Sequence, residues 1–278
     1  MIEATSDRTA PAKTLRRLYV DTAVGQVHVV DSGAGPTVLC LHQTPRSWDE
    51  FREIIPLLAT SYRVLAMDTP GMGNSPAPRG KASIENYALA AAGVLEALGI
   101  AEVALIGHHT GGVIAARLAA SLGGRVWAMV LSSTPLVDAE ARRAREHRPD
   151  IDGYVVSDDG SHLSAIWSRR AAFYPSNRPD LQARYTLDSL RARDPEEGHR
   201  AVARYRMEDD LDALVQPALV VRHAADPYAS PEASKLAAAL AQSTLVTIER
   251  GMVPLEFAAS EFVALCEPFL RRYSPGLS

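Results

Sequence analysis

Cysteine is scarce in this chain, with only Cys40 and Cys266 among 278 residues. That scarcity argues against a disulfide framework, and Cys40, inside the apolar run Val38-Leu39-Cys40-Leu41, reads as a buried structural thiol. Long hydrophobic runs are also missing. The longest are strand-length, so neither a spanning helix nor a membrane partner is expected. No charge of one sign dominates: the net charge is -4, which leaves no global field to recruit nucleic acid or anionic lipid. The residues from Met1 to Pro11 are polar and lack an apolar signal core, so the default expectation is a cytoplasmic protein. Nucleotide fingerprints and metal-ligand spacings are absent, and no cofactor is expected.

What is present is an ordinary globular composition, 47% hydrophobic and 22% charged. The length fits one large α/β domain that can bury its core without metals or crosslinks. Two short strands are expected over residues 18–30 around a turn at Gly25, with turn chemistry at 31–36. Residues 37–41, 63–67, 103–106, 126–131, 218–221 and 245–248 read as strands, mostly continuous apolar runs of the kind buried on both faces of a parallel sheet. Helices are expected at 48–59, 84–98, 113–121, 231–240 and 261–271, the second closing at Gly99. Residues 138–212 differ in being rich in Arg, Asp and Glu, with helical segments such as 164–173 and no buried strand. The expected architecture is α/β, a mostly parallel twisted sheet with helices on both faces, formed by 15–137 and 213–275. A helical cap is expected at 138–212 and a polar segment at 1–14.

One pentapeptide carries chemistry. Gly107-His108-His109-Thr110-Gly111 follows an apolar strand and opens a small-residue helix. Gly-x-nucleophile-x-Gly in that setting is a nucleophile elbow, whose glycines permit a strained turn that lifts the central side chain toward a cleft. The lifted residue here is His109, where serine, cysteine or aspartate ordinarily stands.

With this elbow the chain resembles the α/β-hydrolase superfamily over nearly its whole length. Leu41-His42-Gln43-Thr44-Pro45 looks like its oxyanion loop, and Asp68-Thr69-Pro70-Gly71-Met72-Gly73-Asn74-Ser75 resembles its Asp-x-x-Gly-x-Gly-x-Ser segment. Ala225-Asp226-Pro227 matches the acid loop, which implies that Asp226 is the triad acid. Arg250-Gly251-Met252-Val253-Pro254-Leu255-Glu256 resembles the segment Gly-His-x-Pro-x-Glu, with Met252 where the catalytic histidine belongs. The His-Gln-Thr-Pro loop and Gly-His-His-Thr-Gly elbow together are similar to those of an atypical branch of that superfamily.

Without an elbow serine and without that histidine, serine-esterase chemistry has no nucleophile and no base. An aspartyl nucleophile is equally missing from the elbow. A histidine reaches roughly 2 Å farther from its Cα than a serine. His109 is therefore expected to extend toward the space left at Met252 and to meet Asp226, forming a general-base dyad without a covalent nucleophile. Oxyanion donors are expected from the backbone N–H groups of Gln43 and Thr110.

Candidate substrate-binding residues are His42, Arg46, His108, His162, Trp167 and Met252. Bland readings stand beside them: His42 as scaffold, Arg46 as an ion-pair partner, His108 pointing into the fold, and His162 as a capping residue. Glu256 reads as a structural acceptor, Asp68 as a loop stabiliser, and Arg142-Arg143-Ala144-Arg145 as a solvated helix face. The expected partner is a small-molecule substrate, an ester, lactone or related carbonyl compound, with homo-oligomerisation left open. A lyase, isomerase or cyclase moving a substrate proton is the alternative activity, and a catalytically inactive small-molecule binder is the third reading.

Overall fold

The computed structural model describes residues 15–78 and 80–276, so the expected polar segment at 1–14 lies outside the described residues. β1 (Arg16–Thr22) and β2 (Gly25–Gly33) form an antiparallel hairpin with Thr22 opposite Gly25. Six further strands follow: β3 (Thr37–Leu41), β4 (Arg63–Met67), β5 (Val103–His108), β6 (Val126–Ser132), β7 (Ala218–His223) and β8 (Ser243–Ile248). They pair in the order β1-β2-β4-β3-β5-β6-β7-β8, and from β4 to β8 every neighbouring pair is parallel. β2 runs through part of the stretch expected to turn at 31–36, because Asp31, Ser32 and Gly33 pair antiparallel with Leu65, Val64 and Arg63. The Arg63 guanidinium also donates to both Asp31 carboxylate oxygens, at 3.2 and 2.9 Å, which fastens that extension.

The helices in chain order are α1 (Ile55–Leu58), α2 (Ile84–Ala97), α3 (Thr110–Leu122), α4 (Ala139–Arg145), α5 (Ser161–Arg170), α6 (Pro179–Arg191), α7 (Glu197–Arg204), α8 (Ala233–Ala239), α9 (Pro254–Phe257) and α10 (Ala259–Tyr273). The single helix expected at 48–59 is instead a 3-10 turn, Trp48–Phe51, followed by α1. Pro56 explains the break, since it lacks an N–H and is accommodated only in the first turn of a helix. α4 to α7 fill the chain between β6 and β7, and no strand interrupts them.

Alternate strand residues sort onto two faces, as the two-residue period of a pleated sheet requires. Leu39, Leu65, Leu105, Met129 and Val220 pack in one core with the apolar stripes of α2 and α3. Val38, Cys40, Val64, Ile106, Val130 and Val221 pack in the other with Ile55 of α1 and Phe262, Cys266 and Leu270 of α10. Burial on both faces is why the middles of β3 to β7 are apolar, with polar residues confined to the strand ends. Both cysteines are free and buried in the second core. A third, smaller cluster joins Ile166, Leu181 and Tyr185 of α5 and α6 to Met252 and Val253 beyond β8. No helix of the described residues is long and apolar enough to cross a membrane.

Candidate active site

β5 ends at His108 and α3 begins at Thr110, so the whole reversal falls on His109. Its backbone adopts φ 46° and ψ -114°, a conformation that costs a non-glycine residue about 1–3 kcal/mol. The flanking glycines are steric necessities. A Cβ on Gly111 would lie 1.8 Å from the Leu41 carbonyl oxygen, and one on Gly107 would lie 2.4 Å from that of Gly111. The strained turn is held from β6: the His109 N–H donates to the Ser132 carbonyl at 3.0 Å.

The elbow delivers the His109 ring to Asp226, in the loop after β7. Nε2 and Asp226 Oδ2 lie 3.2 Å apart, with the aspartate side chain fully buried and 13% of the histidine side chain open. The approach is off the line of a hydrogen bond, and neither atom has another partner among the described residues. Asp226 Oδ1 is fixed separately, accepting the N–H groups of Tyr228 at 2.8 Å and Ala229 at 3.3 Å. Burial lowers the His109 pKa from the ordinary histidine value and outweighs the opposing attraction of Asp226. The imidazole is therefore neutral at neutral pH, the protonation state a base requires. With Nε2 nearest the carboxylate, Nδ1 is the ring nitrogen left to take a proton.

Below the elbow runs a polar chain that the sequence motifs did not reveal. His223 Nδ1 donates to the Met252 carbonyl at 2.8 Å, which leaves Nε2 to accept the Ser132 hydroxyl at 3.0 Å. Ser132 Oγ then accepts from His108 Nδ1, also at 3.0 Å. Each partner fixes the next tautomer, because a carbonyl can only accept. Burial holds His108 well below the ordinary histidine value and His223 at about 4, so both rings are neutral. His108 points into the fold, and its ring meets that of His109 edge-on at 4.5 Å between centroids. The only sequence signals for this chain are polar residues at the ends of apolar strands, Ser132 on β6 and His223 on β7.

The oxyanion expectation needs correction at Gln43. Its backbone N–H already donates to Glu50 Oε2 at 3.0 Å, and its side-chain amide donates to Glu50 Oε1 at 2.5 Å. A donor committed to a buried carboxyl group is not free to hold an oxyanion. Among the described residues the Thr110 N–H has no such commitment, and the Thr110 hydroxyl accepts from Thr44 at 3.0 Å. Glu50 belongs to a buried ionic group around Arg46, whose guanidinium is fully buried, 2.7 Å from Glu256 and 3.2 Å from Asp188. Burial pushes Glu50 up to about 8 and Glu256 up to about 7, with Arg46 acting against both shifts. Glu256 also accepts the Tyr174 hydroxyl at 3.0 Å, consistent with its reading as a structural acceptor.

A cavity of about 680 Å³ lies over the elbow, with Gln43, His109, Thr110 and Met252 lining one side. α4 and α7 contribute the other side, including Arg142, Arg145 and His199. The expected substrate-binding residues therefore divide. Met252 lines the cavity, whereas His42, Arg46, His108, His162 and Trp167 are not among its lining residues. His42 is buried scaffold: Nδ1 contacts the Gln43 carbonyl at 2.7 Å and Nε2 accepts the Thr69 N–H at 2.9 Å. Asp68 ties its loop by accepting from His28, the Trp48 N–H and Asn74. His162 holds the turn before α5 through Ser157, and Trp167 offers its carbonyl to Gln182. Sequence reasoning missed His199, which reaches the cavity from α7 with Nε2 2.8 Å from Asp152. It also missed Arg170, which grips the same carboxylate at 2.7 and 2.6 Å and lines the cavity.

Comparison with known proteins agrees with this fold. A family model described as alpha/beta hydrolase fold matches residues 36–251. Bifunctional epoxide hydrolase 2 of Sus scrofa is 37% identical over 118 residues, 40% of this chain but only 21% of that protein. A non-heme haloperoxidase of Rhodococcus erythropolis is 29% identical over 225 residues, 75% of this chain and 81% of that protein. Among solved structures, the enol-lactonase of Burkholderia xenovorans LB400 superposes with a TM-score of 0.75 at 21% identity, covering 91% of this chain and 99% of that one. A thermophilic esterase of Thermogutta terrifontis gives a TM-score of 0.75 at 24% identity, over 94% and 100% of the two chains. At such identities the structural likeness establishes a shared fold.

Proposed function

Because the chain belongs to the α/β-hydrolase fold family, we propose that it is a hydrolase of an atypical branch, in which His109 and Asp226 act as a general-base dyad. The observation that carries this reading is the 3.2 Å approach of His109 Nε2 to Asp226 Oδ2 at a neutral, cavity-lining imidazole. In this mechanism a water molecule occupies the space a serine hydroxyl would fill. His109 Nδ1 takes its proton as the oxygen attacks the carbonyl of a small ester or lactone. Asp226 stabilises the imidazolium that forms, and the proton then passes to the leaving oxygen. The Thr110 N–H is the remaining backbone donor for the developing oxyanion. The helices α4 to α7 serve as the cap that encloses the substrate.

The commitment of the Gln43 N–H to Glu50 favours a second reading. With one oxyanion donor taken, a tetrahedral intermediate is less well stabilised, whereas simple proton transfer needs no such hole. The same dyad then serves a lyase, isomerase or cyclase. Hydrolysis of a short-chain activated ester by wild type and His109→Ala separates these possibilities. Release of product by wild type, lost in the variant, supports hydrolysis. Inertness of both, with solvent deuterium entering a carbonyl substrate only in wild type, moves the assignment to proton transfer.

A further inference from the structure

Arginine side chains crowd the cavity wall, and most are already committed. Arg142 pairs with Glu208, Arg170 with Asp152 and Arg200 with Asp194, while Arg204 donates to the Ala82 carbonyl. Arg145 differs. Its side chain is half-buried in the wall, yet it pairs with no carboxylate and donates to no acceptor among the described residues. Arg143 and Arg148, both exposed, line the same cavity, and neither pairs with a carboxylate among the described residues. The basic run that reads in sequence as a solvated helix face is exposed at Arg143 and Ala144, yet it also borders the cavity.

A half-desolvated guanidinium without an anion is costly, because its buried donors lose water and gain no acceptor. Burial and the like charge of Arg148 pull the Arg145 pKa below the ordinary arginine value, with Glu232 and Asp138 opposing more weakly. Attraction to the C-terminal end of the α4 dipole accounts for basic residues on this turn, but not for an unpaired one facing the cavity. Among the acidic residues that line the cavity, Glu196 is occupied by the backbone N–H groups of Ile151, Asp152 and Gly153.

We infer that Arg145, flanked by Arg143 and Arg148, is an anion subsite, and that the substrate carries a carboxylate or phosphate group which docks there. This inference rests on the reading of the cavity as the active site and names its substrate class: an anionic ester or lactone. The planar fork of Arg145 suits two oxygens of either oxyanion.

The test is calorimetric titration at constant ionic strength with glutarate, inorganic phosphate and the uncharged glutaramide. The proteins are wild type, Arg145→Met, Arg145→Lys and Arg250→Met, the last removing an exposed arginine that lines no part of this cavity. At least one anion binds wild type and glutaramide does not. Arg145→Met weakens that binding by roughly 10- to 100-fold, and Arg145→Lys weakens it less, because a charge remains without the fork. Arg250→Met binds like wild type. Tighter glutarate assigns a carboxylate, and tighter phosphate assigns a phosphate group. The inference is overturned if neither anion binds wild type, or if Arg145→Met binds as tightly as wild type. Should Arg145→Met fail to fold, the lysine variant decides alone, unchanged affinity being the overturning result. No turnover is required, so the subsite and the His109 base can fail separately.

Discussion

Replacing Asp226 with asparagine isolates the dyad while sparing the fold. Asp226 Oδ1 accepts the N–H groups of Tyr228 and Ala229, so the asparagine carbonyl is held in that place and its amide nitrogen inherits the position of Oδ2. At the observed 3.2 Å, two unit charges attract by about 5 kcal/mol at an effective dielectric near 20, an upper limit on what the carboxylate lends an imidazolium. Half of that figure, about 2.5 kcal/mol, corresponds to roughly 10²-fold in rate. The amide also donates toward Nε2 and drives the ring proton to Nδ1, the nitrogen needed as base. The expected fall in kcat/KM for ester hydrolysis is therefore about 10²- to 10⁴-fold. The pH profile gives an independent reading. Because the neutral imidazole is the active form, rate rises with pH through the His109 pKa, which burial has lowered, and is level above it. Asp226 raises that pKa, so its loss moves the rising limb to more acid pH. Initial rates on a short-chain activated ester from about pH 4 to about pH 9, with circular dichroism to verify folding, supply both readings. A loss smaller than about 3-fold, or a limb displaced toward higher pH, would refute the assignment of Asp226.

The buried acids predict a pH-dependent stability. Glu50 has a folded pKa raised to about 8 by burial, so its native form holds a proton that the unfolded chain has released. Stability is fully present below the ordinary glutamate range and declines as pH rises toward about 8, the denaturation midpoint following it downward; a profile in Glu50→Gln as steep as in wild type would count against this cause. Arg46→Met leaves buried Asp188 without its cation and Glu256 with only the longer 3.7 Å contact to Arg184, and is expected to destabilise by about 3–5 kcal/mol, measured by urea unfolding. A loss below about 1 kcal/mol would mean that the carboxylates simply take up protons at little cost.

Much of the framework was legible because its causes are local. The apolar runs that became β3 to β7 are largely buried on both faces, and a run of that kind needs no partner to be recognised, whereas β8 is an edge strand with Ser243, Thr244 and Leu245 exposed. The elbow was legible for the same reason: Gly107 and Gly111 mark backbone that no side chain can enter. The meeting of His109 and Asp226 was anticipated from matching two motifs to one fold, and the two side chains stand 3.2 Å apart. Boundaries failed where a tertiary partner intervened, as when β4 drew Asp31 to Gly33 into pairing, or where Pro56 divided an apolar stretch that otherwise reads as one helix.

The polar wiring was a matter for the tertiary structure. Glu50 is only seven residues from Gln43, yet nothing in the spacing indicates that its carboxyl group captures the Gln43 N–H. Ser132 and His223 are 91 residues apart and meet because β6 and β7 are neighbours in the sheet. Arg142 and Arg145 resemble a solvated face until α4 is laid over the elbow and turns them toward the cavity. The sequence by itself determined the strands, the elbow and the histidine upon it, because backbone sterics and apolar periodicity act over a few residues. Only the tertiary structure decided which donors stay free and which charges find partners, because hydrogen bonds and ion pairs depend on ångström-scale approaches between segments that the chain order leaves far apart.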